Sequence, residues 1–128
     1  MDLKGETLPM DEVLETEFVK SWEGMEWFFG SGEIFCKMPH VVEFIEMLRA
    51  RGYDRKLRAG QSLDLFVVSR SRKHGLRREQ PSIAFHIYEG KMTVFSSGLQ
   101  AETFVETAAI LSDSVRELLD RLSSEAIT

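Results

Sequence analysis

Apolar residues recur along this chain in two rhythms, and the change from one to the other marks out its elements. Met10, Leu14, Phe18 and Trp22 stand four apart, with Glu12, Glu15, Glu17 and Glu23 between and after them. That period predicts an amphipathic helix from Met10 to Trp22, with an acidic first turn suited to the helix dipole and Gly24 as its stop. Residues 25–29 and 33–37 are aromatic or β-branched runs around Gly30-Ser31-Gly32. They predict a hairpin; the competing reading continues the first helix through residues 25–29. Pro39 suits the first turn of a second helix, in which Val41, Phe44, Ile45 and Leu48 follow helical spacing and Gly52 supplies the stop.

The period then changes to two. Residues 63–69 predict a strand with apolar residues on both faces, and residues 82–88 and 91–96 predict two more around the turn Glu89-Gly90. A turn centred there sets Ile87 opposite Met92, Phe85 opposite Val94 and Ala84 opposite Phe95. Ile83, Phe85, Ile87, Met92 and Val94 then share the core face. Ala84, His86, Tyr88, Thr93 and Phe95 share a semi-apolar second face that needs partial cover. Phe104, Ala108, Leu111, Val115, Leu118 and Leu122 step by four and three, predicting one long helix over residues 100–124; the competing reading kinks it at a Ser114–Glu117 capping box.

The expected fold is a single α+β domain over residues 10–128, behind a flexible N-terminus of residues 1–9. It has an antiparallel sheet of three to five strands, two or three helices, and a long C-terminal helix. A chain of 128 residues, 43% hydrophobic and 29% charged, buries enough surface to fold without metal or disulfide. Its one cysteine, Cys36, excludes an internal disulfide and points to a reducing cytoplasm. No basic segment leads into an apolar run at the start, and no apolar run nears the roughly 20 residues that span a bilayer. The expectation is a soluble cytoplasmic protein with no membrane partner.

Charge changes the picture most. Residues 49–78 hold ten basic and two acidic residues, a net +8, inside a chain of formal charge −5. Such asymmetry speaks to partners rather than to fold. One cluster, Arg70, Arg72, Lys73, His74, Arg77 and Arg78, occupies the connection between two predicted strands. Loops on a rigid sheet commonly carry function, and guanidinium groups match phosphate and carboxylate geometry. The other cluster follows the second helix. Arg49 and Arg51 there offset the helix dipole, whereas Arg55, Lys56 and Arg58 are not explained that way. The plain alternative is a solvated surface whose arginines pair with the chain's own glutamates.

No catalytic signature accompanies this charge. Gly30-Ser31-Gly32 lacks the context of a phosphate loop, and Cys36 with His40, His74 and His86 lacks zinc-ligand spacing. Cys36 is expected as a small buried hydrophobe and His86 as a half-buried sheet residue without a carboxylate evident from spacing. Ser69 and Ser71 lie where phosphorylation would partly neutralise the loop. Trp22, Trp27, Phe28, Phe29 and Phe35 are core residues or, at an interface, anchors for self-association.

These observations point to a non-enzymatic binding or regulatory protein, without metal or cofactor, forming a homodimer. Its basic inter-strand loop, with Arg55, Lys56 and Arg58, engages an acidic partner: a phosphorylated ligand, nucleic acid or an acidic protein surface. In the nucleic-acid version Tyr53, Phe66, Tyr88 and Phe95 are the available stacking surfaces. The alternative is a small acidic dimeric chaperone or adaptor that binds protein segments through apolar sheet surface.

Overall fold

The computed structural model describes residues 11–34, 36–73, 75, 76 and 79–128. The expected flexible N-terminus at residues 1–9 lies outside them, as do Met10, Phe35, His74, Arg77 and Arg78. Three α-helices, α1 (Glu12–Ser31), α2 (Pro39–Ala50) and α3 (Asp113–Ser123), combine with five strands. These are β1 (Arg58–Ser62), β2 (Leu65–Ser69), β3 (Ser82–Tyr88), β4 (Lys91–Ser97) and β5 (Phe104–Glu106). All neighbours are antiparallel in the order β1-β2-β3-β4-β5, so the α+β class holds.

Helix α1 starts where Asp11 accepts a hydrogen bond from the Leu14 amide at 2.9 Å. It does not stop at Gly24, and residues 25–29 form helix rather than a hairpin strand. One interior glycine costs about 1 kcal/mol, less than the burial of Phe28 and Phe29 on the following turns returns. Gly30 and Ser31 belong to the helix, and Gly32 closes it at φ 73°. Cys36 therefore lies in a surface connection between two helices and is exposed, not buried as expected. Helix α2 matches expectation, with Pro39 in its first turn and Val41, Phe44, Ile45 and Leu48 buried.

The Glu89-Gly90 turn holds both residues at positive φ, 50° and 77°, as a two-residue hairpin of this hand requires. Its register is the expected one, with Ile87 opposite Met92, Phe85 opposite Val94 and Ala84 opposite Phe95. The predicted third strand is shorter, because Leu63 and Asp64 form a turn and β1 precedes it. The long final helix is not present. Residues 104–106 pair with β4, and α3 covers only 11 residues. Ser112, rather than Ser114, caps it by accepting from the Val115 amide at 3.2 Å. Ser112 also donates its hydroxyl to Glu106, tying β5 to the helix start.

Phe66, Val68, Ile83, Phe85, Ile87, Met92 and Val94 of one sheet face pack into a single core with side chains of all three helices. Trp22 is fully buried there, edge-on to Phe66 at 5.3 Å, and its indole N–H donates to the Leu57 carbonyl at 2.8 Å. Helix α1 also runs along β1, where Ser21 Oγ accepts from the Ala59 amide at 2.9 Å. Such cover blunts an edge strand that would otherwise offer unpaired backbone groups. No helix among the described residues is long and apolar enough to cross a membrane.

Candidate binding surface

Alternation along the strands sends Arg58, Ser69, Ser82 and Ser97 to the sheet face opposite the main core, in one row across β1–β4. The connection from Arg70 to Pro81 leaves β2 at this end, and Arg58, Ser69 and Ser82 are buried here. Its fixed shape comes from a set of internal bonds. Arg58 donates from Nε to the Ser71 carbonyl at 2.8 Å and from Nη2 to the Arg72 carbonyl at 2.6 Å. Arg70 donates from Nε to the Glu125 carbonyl at 2.9 Å and from Nη1 to the Lys56 carbonyl at 2.7 Å. Thr128 adds a third tie, exchanging backbone bonds with Arg70 and Arg72 and accepting from the Gln80 side chain.

The two basic clusters therefore meet in space, and the carbonyls of Lys56, Ser71 and Arg72 join them. Desolvation holds the Arg70 pKa below the ordinary arginine value, yet a guanidinium stays charged at neutral pH. Arg58 also reaches Glu17 at 3.4 Å and lies 5.2 Å from the Phe18 ring. Arg49, counted in the same basic middle, is used elsewhere: it binds Glu26 at 2.7 Å and Asp54 at 3.0 Å. Burial acts to lower its pKa, but the Asp54 hydrogen bond and the Glu26 and Asp54 charges outweigh that and raise it.

What remains for solvent is smaller than the sequence count. Arg55, Lys56 and Lys73 are exposed and form no ion pair among the described residues; Lys56 lies 5.7 Å from the Tyr53 ring. Arg72 is half-buried. The sequence-predicted His74, Arg77 and Arg78 belong to the same connection but lie outside the described residues. Ser69 and Ser71 are buried, and the Ser71 hydroxyl donates to the Lys73 and Gly75 carbonyls, so neither offers the exposed hydroxyl that phosphorylation needs.

Beyond the buried row the outer sheet face lies open. Val67, Ala84 and Phe95 form its next row, then His86, Thr93 and Val105, then Tyr88 and Lys91. Tyr88 and Val105 are 64% and 59% exposed, and Phe95 40%. His86 is half-buried as expected, but it has the carboxylate partner that spacing did not reveal: Asp64 of the β1–β2 turn, at 3.2 Å. Tyr53 and Phe66 are buried and present no stacking surface, and Trp22, Phe28 and Phe29 are core.

A cavity of about 520 Å³ wraps around the β1 edge between Met25, Val67 and Leu76, floored by Gly60 and Ser62. Of its polar lining, Arg58, Ser69 and Ser71 are hydrogen-bonded within the chain, and Gln61 and Ser62 line it as well. No group of His, Cys, Asp and Glu among the described residues is arranged to hold a metal ion. His40 sits exposed beside Glu43 at 3.3 Å, and nothing gathers it with Cys36. No family model, curated protein or solved structure significantly matches this chain.

Proposed function

We propose that this chain is a non-enzymatic binding and regulatory protein that engages an acidic partner through the basic end of its sheet. The supporting observation is the junction of the two clusters: Arg70 bonds the Lys56 carbonyl and Arg58 bonds those of Ser71 and Arg72. In this reading Arg58 and Arg70 are positioning residues. They fix the connection so that Arg55, Lys56, Arg72 and Lys73, with His74, Arg77 and Arg78 of the same loop, present charge to one partner. Rigid presentation matters because ordering long cationic side chains costs entropy that a pre-set loop reduces. An acidic protein surface, a phosphorylated ligand and nucleic acid share this chemistry, and a reducing cytoplasm suits the exposed thiol of Cys36.

The test is anisotropy of a fluorescent poly-glutamate peptide, a phosphopeptide and a single-stranded oligonucleotide as salt rises from about 50 to about 300 mM, where screening shortens steeply. Binding of at least one probe should fall with salt and vanish in Arg55→Glu/Lys56→Glu/Lys73→Glu, with the urea midpoint unchanged. Salt-independent binding, or none to any probe, rejects the reading. The second reading, an adaptor that holds protein segments against the open sheet face, draws on the exposure of Tyr88, Phe95 and Val105.

A further inference from the structure

We infer that the cavity beside Gly60 of β1 is a binding site for a small monocarboxylate with an apolar body. It uses none of the exposed cations of the basic end, so it stands or falls separately from the proposed function. The cavity exists because residue 60 has no side chain. On the outer face β1 presents Arg58, Gly60 and Ser62, opposite Ser69, Val67 and Leu65 of β2. A Cβ added at Gly60 would meet nothing within 4 Å, so the middle of this row is a hollow. Ser71, Gly75 and Leu76 border it from the connection, and Met25 from α1. Its volume of about 520 Å³ lies within the range of about 300–1,000 Å³ that small-molecule sites occupy.

The charged group in its wall is built in and not fully spent. Arg58 is only 9% exposed. Its Nε and Nη2 hold the Ser71 and Arg72 carbonyls, and Nη2 also faces Glu17, but Nη1 donates to nothing among the described residues. No side-chain nitrogen sealed from solvent lacks a partner among those residues, so Nη1 reaches open space. Arg58 borders both the cavity and a groove of about 380 Å³ that continues it along α1. Ser69, 5% exposed, accepts from the Ser71 amide at 3.2 Å and keeps its own hydroxyl proton uncommitted. A guanidinium nitrogen and a hydroxyl lining one recess are donors suited to an anion.

The local charges select a monoanion. Arg58 is opposed by Glu17 at 3.4 Å, and Lys20, on the groove wall, adds a cation that forms no ion pair among the described residues. Two cations against one carboxylate leave a single positive charge, which one bound carboxylate balances. The second charge of a phosphate dianion would be left facing Glu17. Beyond Arg58 and Ser69 the lining turns apolar, with Met25, Ala59, Val67 and Leu76, and neutral, with Gln61 and Ser62. A carboxylate at Arg58 and Ser69 thus places a short hydrocarbon or aryl body over Gly60. There it would cover part of Leu76, which is 46% exposed, and apolar burial adds to the affinity.

Titration of the isotope-labelled chain with hexanoate, followed through its backbone amide resonances, tests the site. Hexanoate should shift the Gly60, Ser62, Ser69 and Leu76 amides with one saturating curve. Hexanamide, which lacks the charge, and acetate, which lacks the body, should each bind at least about tenfold more weakly. Inorganic phosphate should not saturate these signals. Glu17→Gln should tighten hexanoate about threefold by removing a like charge, and Lys20→Gln should weaken it about threefold. Gly60→Val should abolish binding. Valine suits a strand and its Cβ finds open space, so this variant folds, which unchanged fluorescence of the buried Trp22 checks. Absence of any saturating shift up to about 10 mM hexanoate overturns the inference. So does a Gly60→Val chain that binds as well as wild type, or hexanamide as tight as hexanoate. Shifts that spread over surface lysines without saturating would mark an adventitious additive only, and overturn it too. The Arg55→Glu/Lys56→Glu/Lys73→Glu chain should still bind hexanoate, and Gly60→Val should bind the basic-end probes as wild type does. Loss of hexanoate binding in that triple variant would place the anion at the basic end and overturn the separate site.

Discussion

Arg58 and Ser71 are joined across the end of the sheet: the guanidinium Nε donates to the Ser71 carbonyl at 2.8 Å, and Nη2 reaches the next carbonyl, Arg72, at 2.6 Å. A planar fork with two parallel donors fits two successive carbonyls, whereas an ammonium group cannot span both. The pair converts a charged loop into a fixed edge of the fold. Arg58→Met keeps an unbranched side chain in this buried position but removes the guanidinium over Phe18 and its bonds to both carbonyls. It should cost about 2–3 kcal/mol in urea unfolding, and Arg58→Lys should restore less than half. Equal stability of all three chains would show that water replaces these bonds freely.

Trp22 and Leu57 make a comparable bond inside the core, with the indole N–H donating to the carbonyl at 2.8 Å. Trp22→Phe removes both the donor and part of a fully packed ring, so a loss of about 2–4 kcal/mol is expected. Fluorescence separates the two tryptophans. Trp22 is buried and Trp27 half-exposed, so Trp27→Phe should leave a blue-shifted emission and Trp22→Phe a red-shifted one. Identical spectra for the two variants would contradict this placement.

How legible each part was in the sequence depends on where its stabilisation comes from. The register of the β3–β4 hairpin could be read to the residue because alternation and a Glu-Gly turn both act locally and agree. Strand β1, Arg-Ala-Gly-Gln-Ser, has almost no intrinsic strand preference. It is extended because β2 pairs with it on one side and Ser21 caps it on the other. The heptad-like run from Phe104 to Leu122 misled because it crosses an element boundary: Thr103-Phe104-Val105 favours a strand, and Ser112 starts a new helix. The charge of the two basic clusters was visible, but their junction was not. It runs through backbone carbonyls, which every residue carries alike.

Two glycines should respond oppositely to alanine. Gly24 lies inside α1, and a Cβ added there meets nothing within 4 Å. Gly24→Ala should stabilise the chain by about 1 kcal/mol through helix propensity and a less free unfolded chain. Gly98 has φ 74°, and a Cβ would lie 3.2 Å from the Pro81 Cα, backbone that cannot turn aside. Gly98→Ala should cost about 1–2 kcal/mol or more. Urea midpoints moving in the same direction would show that one of the two local environments is misassigned.

Tyr53 links the turn after α2 to α3 by donating its hydroxyl to Asp120 at 2.7 Å. Burial, first, and then the Asp120 hydrogen bond push its pKa up to about 12 from the ordinary 10.0. The folded chain thus holds this proton more tightly than the unfolded chain, so unfolding releases it once pH passes 10, and stability falls as pH rises. The contribution is complete below pH 10 and lost progressively between pH 10 and 12. A shift of two units sets its upper size at about 2–3 kcal/mol. Tyr53→Phe has no such proton to lose. It should be less stable than wild type by about 1–3 kcal/mol at about pH 8, where the hydrogen bond to a charged acceptor is intact. That gap should shrink towards zero by about pH 11.5, as the wild-type phenol ionises on unfolding. Comparing the two chains cancels every other group, since they differ at this one residue alone. A gap that stays constant from about pH 9 to about pH 11.5 would mean that Asp120 and burial do not hold the phenol proton.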